Sequence, residues 1–344
     1  MTSTTTSTNT MRASIYTSYG GPDVLHPAEV ARPQPGPKDV LVRVHAHSVN
    51  YGDLTARNFP NIPAREFNMP RILRFAAGLS FGRRAPNKQI LGSEFAGVVE
   101  AVGAQASRFS VGERVFGYLG QSMGASAEYL TIAEDAAIAR APGNVSLEEA
   151  ATIPYGALMA LNLLQKVSIN EGDRVLVVGA SGGIGSAAVQ LARHAGAEVT
   201  GVAGTPRLEY VKRLGAHRVI DYKKEEFTDS TDRYDLVFDI LGRSSFRAVK
   251  RVLQPRGRYL RASFKLVQLL QAIWSGIFGK KKLIVGLAME KPGDLDTIRE
   301  LVEAGAYKTV VDRCFLLEEA AEAHRYMESG GRSGAVVVSV TGGK

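Results

Sequence analysis

At 344 residues the chain is long enough for two domains, each with its own core, and its 45% hydrophobic and 22% charged composition is that of an ordinary soluble globular protein. A formal charge of +8, dispersed and without a motif to focus it, suits an anionic cofactor and gives no ground for a nucleic-acid partner. One cysteine, Cys314, excludes a disulfide framework and a thiolate zinc cluster, which makes a reducing, cytoplasmic setting the expectation.

Residues 1–10 are almost wholly Ser, Thr and Asn, which predicts a disordered leader. They have neither the apolar run of a secretory signal nor the arginines of a transit peptide. The next third reads as β. Val40, Val42, Val44 and Ala46 alternate with Arg43, His45 and His47, giving one buried face and one wet face. Phe95–Gly103 and Glu113–Gly117 are further short strands punctuated by glycine. Residues 68–88, basic and broken by Gly and Pro, predict an insertion loop with a short helix.

From Ala141 the texture changes. Ser146 and Glu149 form a capping box. Strands are expected at Val175–Val178, Glu198–Ala203, Arg218–Asp221 and Leu236–Asp239, and helices at Ser186–His194 and Arg207–Leu214. This alternation implies an α/β doubly wound parallel sheet covered on both faces. Ala335–Val340 is a terminal strand. Phe264–Gly279 is too short and too polar to span a bilayer, and Phe264–Lys282 as a whole is amphipathic and ends in a lysine run. It reads first as a packed helix with a solvated end. The alternatives are a flap over a cleft, a dimer edge, or weak peripheral contact with an anionic membrane surface.

The most informative stretch joins Val175–Val178 to Gly179-Ala-Ser-Gly-Gly-Ile-Gly185 and reopens as an apolar helix. Such a turn aims backbone N–H groups and a helix N-terminus at an anion, so Ser181, Gly182, Gly183, Ile184 and Gly185 are the expected pyrophosphate cradle of a dinucleotide. Short-chain dehydrogenases share the spacing but need a lysine four residues after a catalytic tyrosine. No tyrosine here has one. At the end of the second strand an acid would bind the ribose hydroxyls of NAD. Here Thr205 and Arg207 follow instead, and with Tyr222 or Lys223 they could hold the 2′-phosphate of NADPH.

These motifs, with Ser48–Asp53, Leu91–Gly103, Gly112–Gly117, Glu149–Pro154, Leu214–Tyr222, Tyr234–Gly242 and Gly331–Val338, resemble the medium-chain dehydrogenase/reductase superfamily, specifically its zinc-free quinone oxidoreductase group. The resemblance implies a Rossmann domain (141–307) set within a GroES-like β domain (11–140 and 308–344), with the substrate in the cleft between them. It places Asn50, Tyr51 and Asp53 under the nicotinamide. Asp239, Leu241 and Gly242 follow the strand that borders the cofactor cleft. Relatives commonly dimerise through the Rossmann sheet edge, so a homodimer is expected, with a tetramer left open.

Zinc-dependent members of that superfamily use a cysteine in the loop after the first long strand and a histidine in a Gly-His-Glu triplet. Here the loop carries Asn50 and Asp53, the triplet is Gly92-Ser93-Glu94, and no zinc is expected. His45 and His47 read as the exposed face of a strand. Alcohol oxidation without a Lewis acid is hard, whereas hydride transfer to an electron-poor carbon needs only hydrogen-bond donors at the developing oxyanion. The expected activity is therefore NADPH-dependent reduction of quinones or α,β-unsaturated carbonyls. Asn50 is the expected donor to the substrate oxygen, and Asp53 the anchor of its loop. Tyr51 is either a second donor or a packing residue. Arg57 is expected in a local ion pair. An alcohol dehydrogenase, and a non-catalytic protein that uses the cofactor fold to bind RNA, membrane or a partner, remain alternatives.

Overall fold

The computed structural model describes residues 9–63, 70–289, 291 and 293–342. The alternating strands and helices after Arg174 build a six-stranded sheet. Its spatial order is Arg218–Asp221, Glu198–Ala203, Arg174–Val178, Tyr234–Asp239, Leu253–Arg261 and Lys282–Val285, with every neighbour parallel. Strands covered on both faces need apolar side chains on both, as Val175, Leu176 and Val177 supply. The strand order reverses between Arg174–Val178 and Tyr234–Asp239. A ligand crevice opens at the carboxyl ends of two such strands.

A seven-stranded sheet and the separate two-stranded pair Thr10–Ile15 and His26–Ala31 hold the rest. Asp39–Val49 is the organising strand of the larger sheet, flanked on one side by Glu94–Val102. On the other side it is shared by Tyr129–Ala133 along its first half and Ala335–Ser339 along its second. The C-terminal strand thus pairs Val336 with Val49 and Val337 with Ser48, which fixes the strand end that delivers Asn50. Ser146 and Glu149 cap Leu147–Ala150 reciprocally, as the spacing predicts. One core runs through both sheets, from Ala46, Ala96 and Phe116 to Ile153, Leu158 and the Rossmann strands.

Three expectations need correction, while the helix expected in the 68–88 insertion is present. Thr10 belongs not to a leader but to the strand Thr10–Ile15, paired with Ala31; residues 1–8 of that leader lie outside the described residues. In the 68–88 insertion, residues 68–69 lie outside the described residues, and Arg71–Phe81 is an eleven-residue helix. His47 is buried, not wet, because the second face of its strand is also covered; burial lowers its pKa to about 4. His45 bonds Glu148 at 2.7 Å. Lastly, the segment Phe264–Lys282 forms the helix Leu266–Phe278, whose apolar side chains stay largely uncovered: Ser275 alone of its residues is buried.

Candidate active site

The glycine turn closes the crevice from the Rossmann side. Gly179 adopts φ +86°, which favours glycine. A Cβ on Gly185 would stand 2.0 Å from the Gly179 carbonyl oxygen, so helix and turn touch backbone to backbone. The helix Gly183–His194 starts with Gly182 as N-cap and no side-chain cap bond. Its first amides, at Gly183, Ile184 and Gly185, therefore have no intrahelical acceptor and face a ready anion site. Ser181 is buried beside them, and all five residues line a cleft of about 1240 Å³.

Thr205, Arg207 and Tyr222 gather at the ends of Glu198–Ala203 and Arg218–Asp221. The half-exposed Tyr222 ring lies against Gly204. Thr205 Oγ1 donates to Asp221 Oδ2 at 2.6 Å, a bond that holds the Asp221 carboxyl below its usual range. Arg207 Nε is buried without a hydrogen-bond partner. Beside it is Arg332, which lines the cleft and whose pKa is lowered by burial and then by Arg207. Two crowded guanidinium groups and an orphaned Nε fit an anionic group such as a ribose phosphate. Arg332 and Asp221 were not among the sequence candidates. Asp239 does not face the crevice. Its carboxylate accepts from Gly242 N (2.8 Å), Ser244 N (3.2 Å) and the Tyr259 hydroxyl (2.8 Å), shaping the loop that presents Leu241. Gly242 lies against Arg261 in that loop, away from the cleft lining.

Opposite the glycine turn, Asn50 caps the helix Tyr51–Arg57 in a capping box with Asp53. Its Oδ1 accepts from Gly52 N at 2.8 Å, while Nδ2 donates to Ser93 Oγ (2.8 Å) and Glu94 Oε1 (3.2 Å). Both amide protons of Asn50 are thus committed to protein acceptors, and the expected free donor is not Asn50. Ser93 Oγ accepts from Asn50, lines the cleft, and donates to no protein group among the described residues. Asp53 anchors the loop, accepting from Asn50 N (2.9 Å) and Gly92 N (3.0 Å). Burial pushes its pKa up to about 7. Glu94, also pushed by burial up to about 7, accepts from Ser48, Asn50 and, at 2.7 Å, the backbone N–H of Tyr155. Tyr51 is 61% exposed at the cleft mouth. Arg57 is buried and pairs not locally but across the fold, with Glu328 in an ion pair and with His324 Nδ1 at 2.9 Å, 271 and 267 residues on in the chain. The far walls are apolar: Phe59, Leu73, Phe81, Met123, Leu241 and Leu287.

The positions where zinc-dependent dehydrogenases place ligands hold Asn50 and Ser93, hydrogen-bonded to each other. No group of three or more His, Cys, Asp or Glu placed to hold a metal occurs among the described residues. This donor set does not fit zinc.

Residues 36–143 match the family model described as alcohol dehydrogenase GroES-like domain, and residues 214–338 the one described as zinc-binding dehydrogenase. The chain is 31% identical to the 2-methylene-furan-3-one reductase of Solanum lycopersicum, over 95% of this chain and 79% of that protein. It is 30% identical, with the same coverage, to the chloroplastic NADPH-dependent alkenal/one oxidoreductase of Arabidopsis thaliana. Among solved structures, the quinone oxidoreductase from Coxiella burnetii superposes with a TM-score of 0.82 at 25% identity, over 96% of this chain and 99% of that one. The shared cofactor turn, paired sheets and end-to-end similarity make this chain an oxidoreductase of the medium-chain dehydrogenase/reductase superfamily.

Proposed function

We propose that the protein reduces quinones or α,β-unsaturated carbonyls with NADPH and without a metal ion. The observation that carries this reading is the Asn50–Ser93 pair: a hydroxyl whose oxygen is already held stands where a Lewis acid would otherwise sit. When bound, the nicotinamide supplies the hydride. The chain then has to favour the negative charge that develops on the acceptor oxygen, and a preorganised donor does so at no reorganisation cost. Ser93 Oγ is that donor, with Asn50 as the positioning residue behind it. Phe59, Leu73, Phe81 and Met123 exclude water and accommodate a lipophilic acceptor. Arg207 and Arg332 hold the phosphate end of the carrier.

The relatives' names, an alkenal/one oxidoreductase and a quinone oxidoreductase among them, support the same substrate class. The test follows NADPH absorbance with phenanthrenequinone, a long-chain vinyl ketone and simple alcohols, alongside metal analysis of the purified protein. Turnover of the first two by metal-free protein is the expected result. Alcohol oxidation dependent on bound zinc, or tight NADPH binding with no turnover of any acceptor, refutes the proposal.

A further inference from the structure

The positive charge is not dispersed, as overall composition suggested. Residues 240–289 hold eleven of the chain's 42 Lys and Arg and no Asp or Glu, while the other 31 are outnumbered by 34 acids. Within this stretch the helix Leu266–Phe278 is moored lightly. Ser275 Oγ accepts from Leu283 N at 2.9 Å and donates to Ala272 O, and Ala272 packs on the core below. Leu270, Ile273, Trp274, Ile277 and Phe278 are between 55% and 71% exposed. A contiguous apolar surface of this kind marks an interaction site.

The helix runs directly through Gly279 into a concavity lined by Arg233, Lys250, Lys280 and Lys281, with Leu253 and Pro255. Among the described residues no carboxylate lines it. Lys281 Nζ reaches the Lys250 carbonyl at 2.6 Å, and burial, then Arg233 and Lys250, lower its pKa. An exposed apolar helix beside a cationic hollow with no counter-ion has the charge and shape of an interfacial anchor, with a tryptophan among its exposed side chains. A second copy of the chain fits less well, because a two-fold contact through this face sets one cationic hollow near its twin.

We propose that the helix Leu266–Phe278 lies in the surface of an anionic bilayer, with its apolar side at the acyl boundary and Arg233, Lys250, Lys280 and Lys281 on lipid phosphates. The inference stands independently of the reductase reading. If both hold, a lipophilic acceptor reaches the enzyme from the membrane in which it is dissolved.

Trp274 is the chain's one tryptophan, so its fluorescence reports on this helix alone. The intact protein is mixed with vesicles of phosphatidylcholine containing phosphatidylglycerol, and with phosphatidylcholine vesicles as control. Expected are a blue shift and quenching by brominated acyl chains with the anionic vesicles only, reversed by high salt. Lys280→Glu/Lys281→Glu should weaken vesicle binding by more than about fivefold per lysine, since reversal exceeds simple loss of charge, while quinone reduction in solution is unchanged. Three outcomes overturn the proposal. The protein stays in the supernatant; it pellets with no response from Trp274; or Trp274 is already shielded from acrylamide without vesicles in a particle of two chains, which assigns the face to a second copy.

Discussion

Glu94, on a strand of the GroES-like sheet, accepts the backbone N–H of Tyr155 at 2.7 Å in the first turn of the helix Pro154–Leu164. That helix has no side-chain cap of its own, and its Gly156 packs so tightly on the cofactor turn that a Cβ there would meet Gly183 O at 2.6 Å. Glu94 therefore ties the β domain to the helix that buttresses the cofactor turn, and a carboxylate at a helix N-terminus is favoured electrostatically. Burial acts the other way. Glu94 and Asp53 both rise to about 7, from 4.5 and 3.8.

The sign of the pH dependence follows. Between the unfolded and folded values the folded chain binds more protons, so stability is greatest below the unfolded pKa values and falls as pH rises through about 4 to 7, levelling above. Glu94→Gln keeps the side chain's shape and removes its share of this slope. Urea midpoints at about pH 5 and about pH 8 should differ less in the variant than in the parent. An identical difference removes Glu94 as a titrating group.

Ser93→Ala tests the donor. Removing one oxyanion donor should lower kcat by about tenfold to a thousandfold, with the KM for NADPH unmoved because Ser93 lies on the acceptor side. Asn50→Ala should give a similar fall, with the thermal midpoint lowered too, since Asn50 also caps the helix Tyr51–Arg57. Full activity in Ser93→Ala assigns the donor elsewhere.

The reading from sequence succeeded where local chemistry dictates geometry. A strand, a glycine turn and an apolar helix have one compact arrangement, so the turn from Gly179 to Gly185 could be read from adjacent residues. The Ser146–Glu149 cap was readable for the same reason. What escaped depends on partners distant in the chain. Arg332 meets Arg207 only because the C-terminal segment folds back into the β sheet beside the Rossmann domain. Asn50 has the donor chemistry expected of it, but Ser93 and Glu94, some forty residues on, take up its protons. Asp239 looked like a crevice acid from its place at a strand end, and turned inward because Gly242, Ser244 and Tyr259 needed an acceptor. The helix Leu266–Phe278 looked packable because periodicity shows that an apolar face exists and is silent on what covers it.

Gly185→Ala should disable the cofactor turn. The added methyl would be driven against Gly179 O, and overpacking of this kind costs about 1–3 kcal/mol. Expected are a lower thermal midpoint and loss of the stabilisation that NADPH confers on the parent. A variant whose midpoint still rises with NADPH as the parent's does would show that the turn can relax.

On the proposed NADPH reading, carrier choice would rest on three charges at the adenosine end: Arg207 and Arg332 would draw a 2′-phosphate, whereas Asp221, tied to Thr205 at 2.6 Å, would oppose it. Arg207→Ala should raise the KM for NADPH by about tenfold or more, the worth of a charge-assisted bond to phosphate, and leave the KM for NADH nearly unchanged. Arg332→Ala should act in the same direction, and because the two guanidinium groups share one anion the double variant should lose less than the product of the single effects. Asp221→Asn removes the opposing charge and should lower the KM for NADPH while leaving that for NADH in place. If all three variants move the two constants together, the arginine pair binds no 2′-phosphate, and its orphaned Nε has to be matched to the pyrophosphate instead.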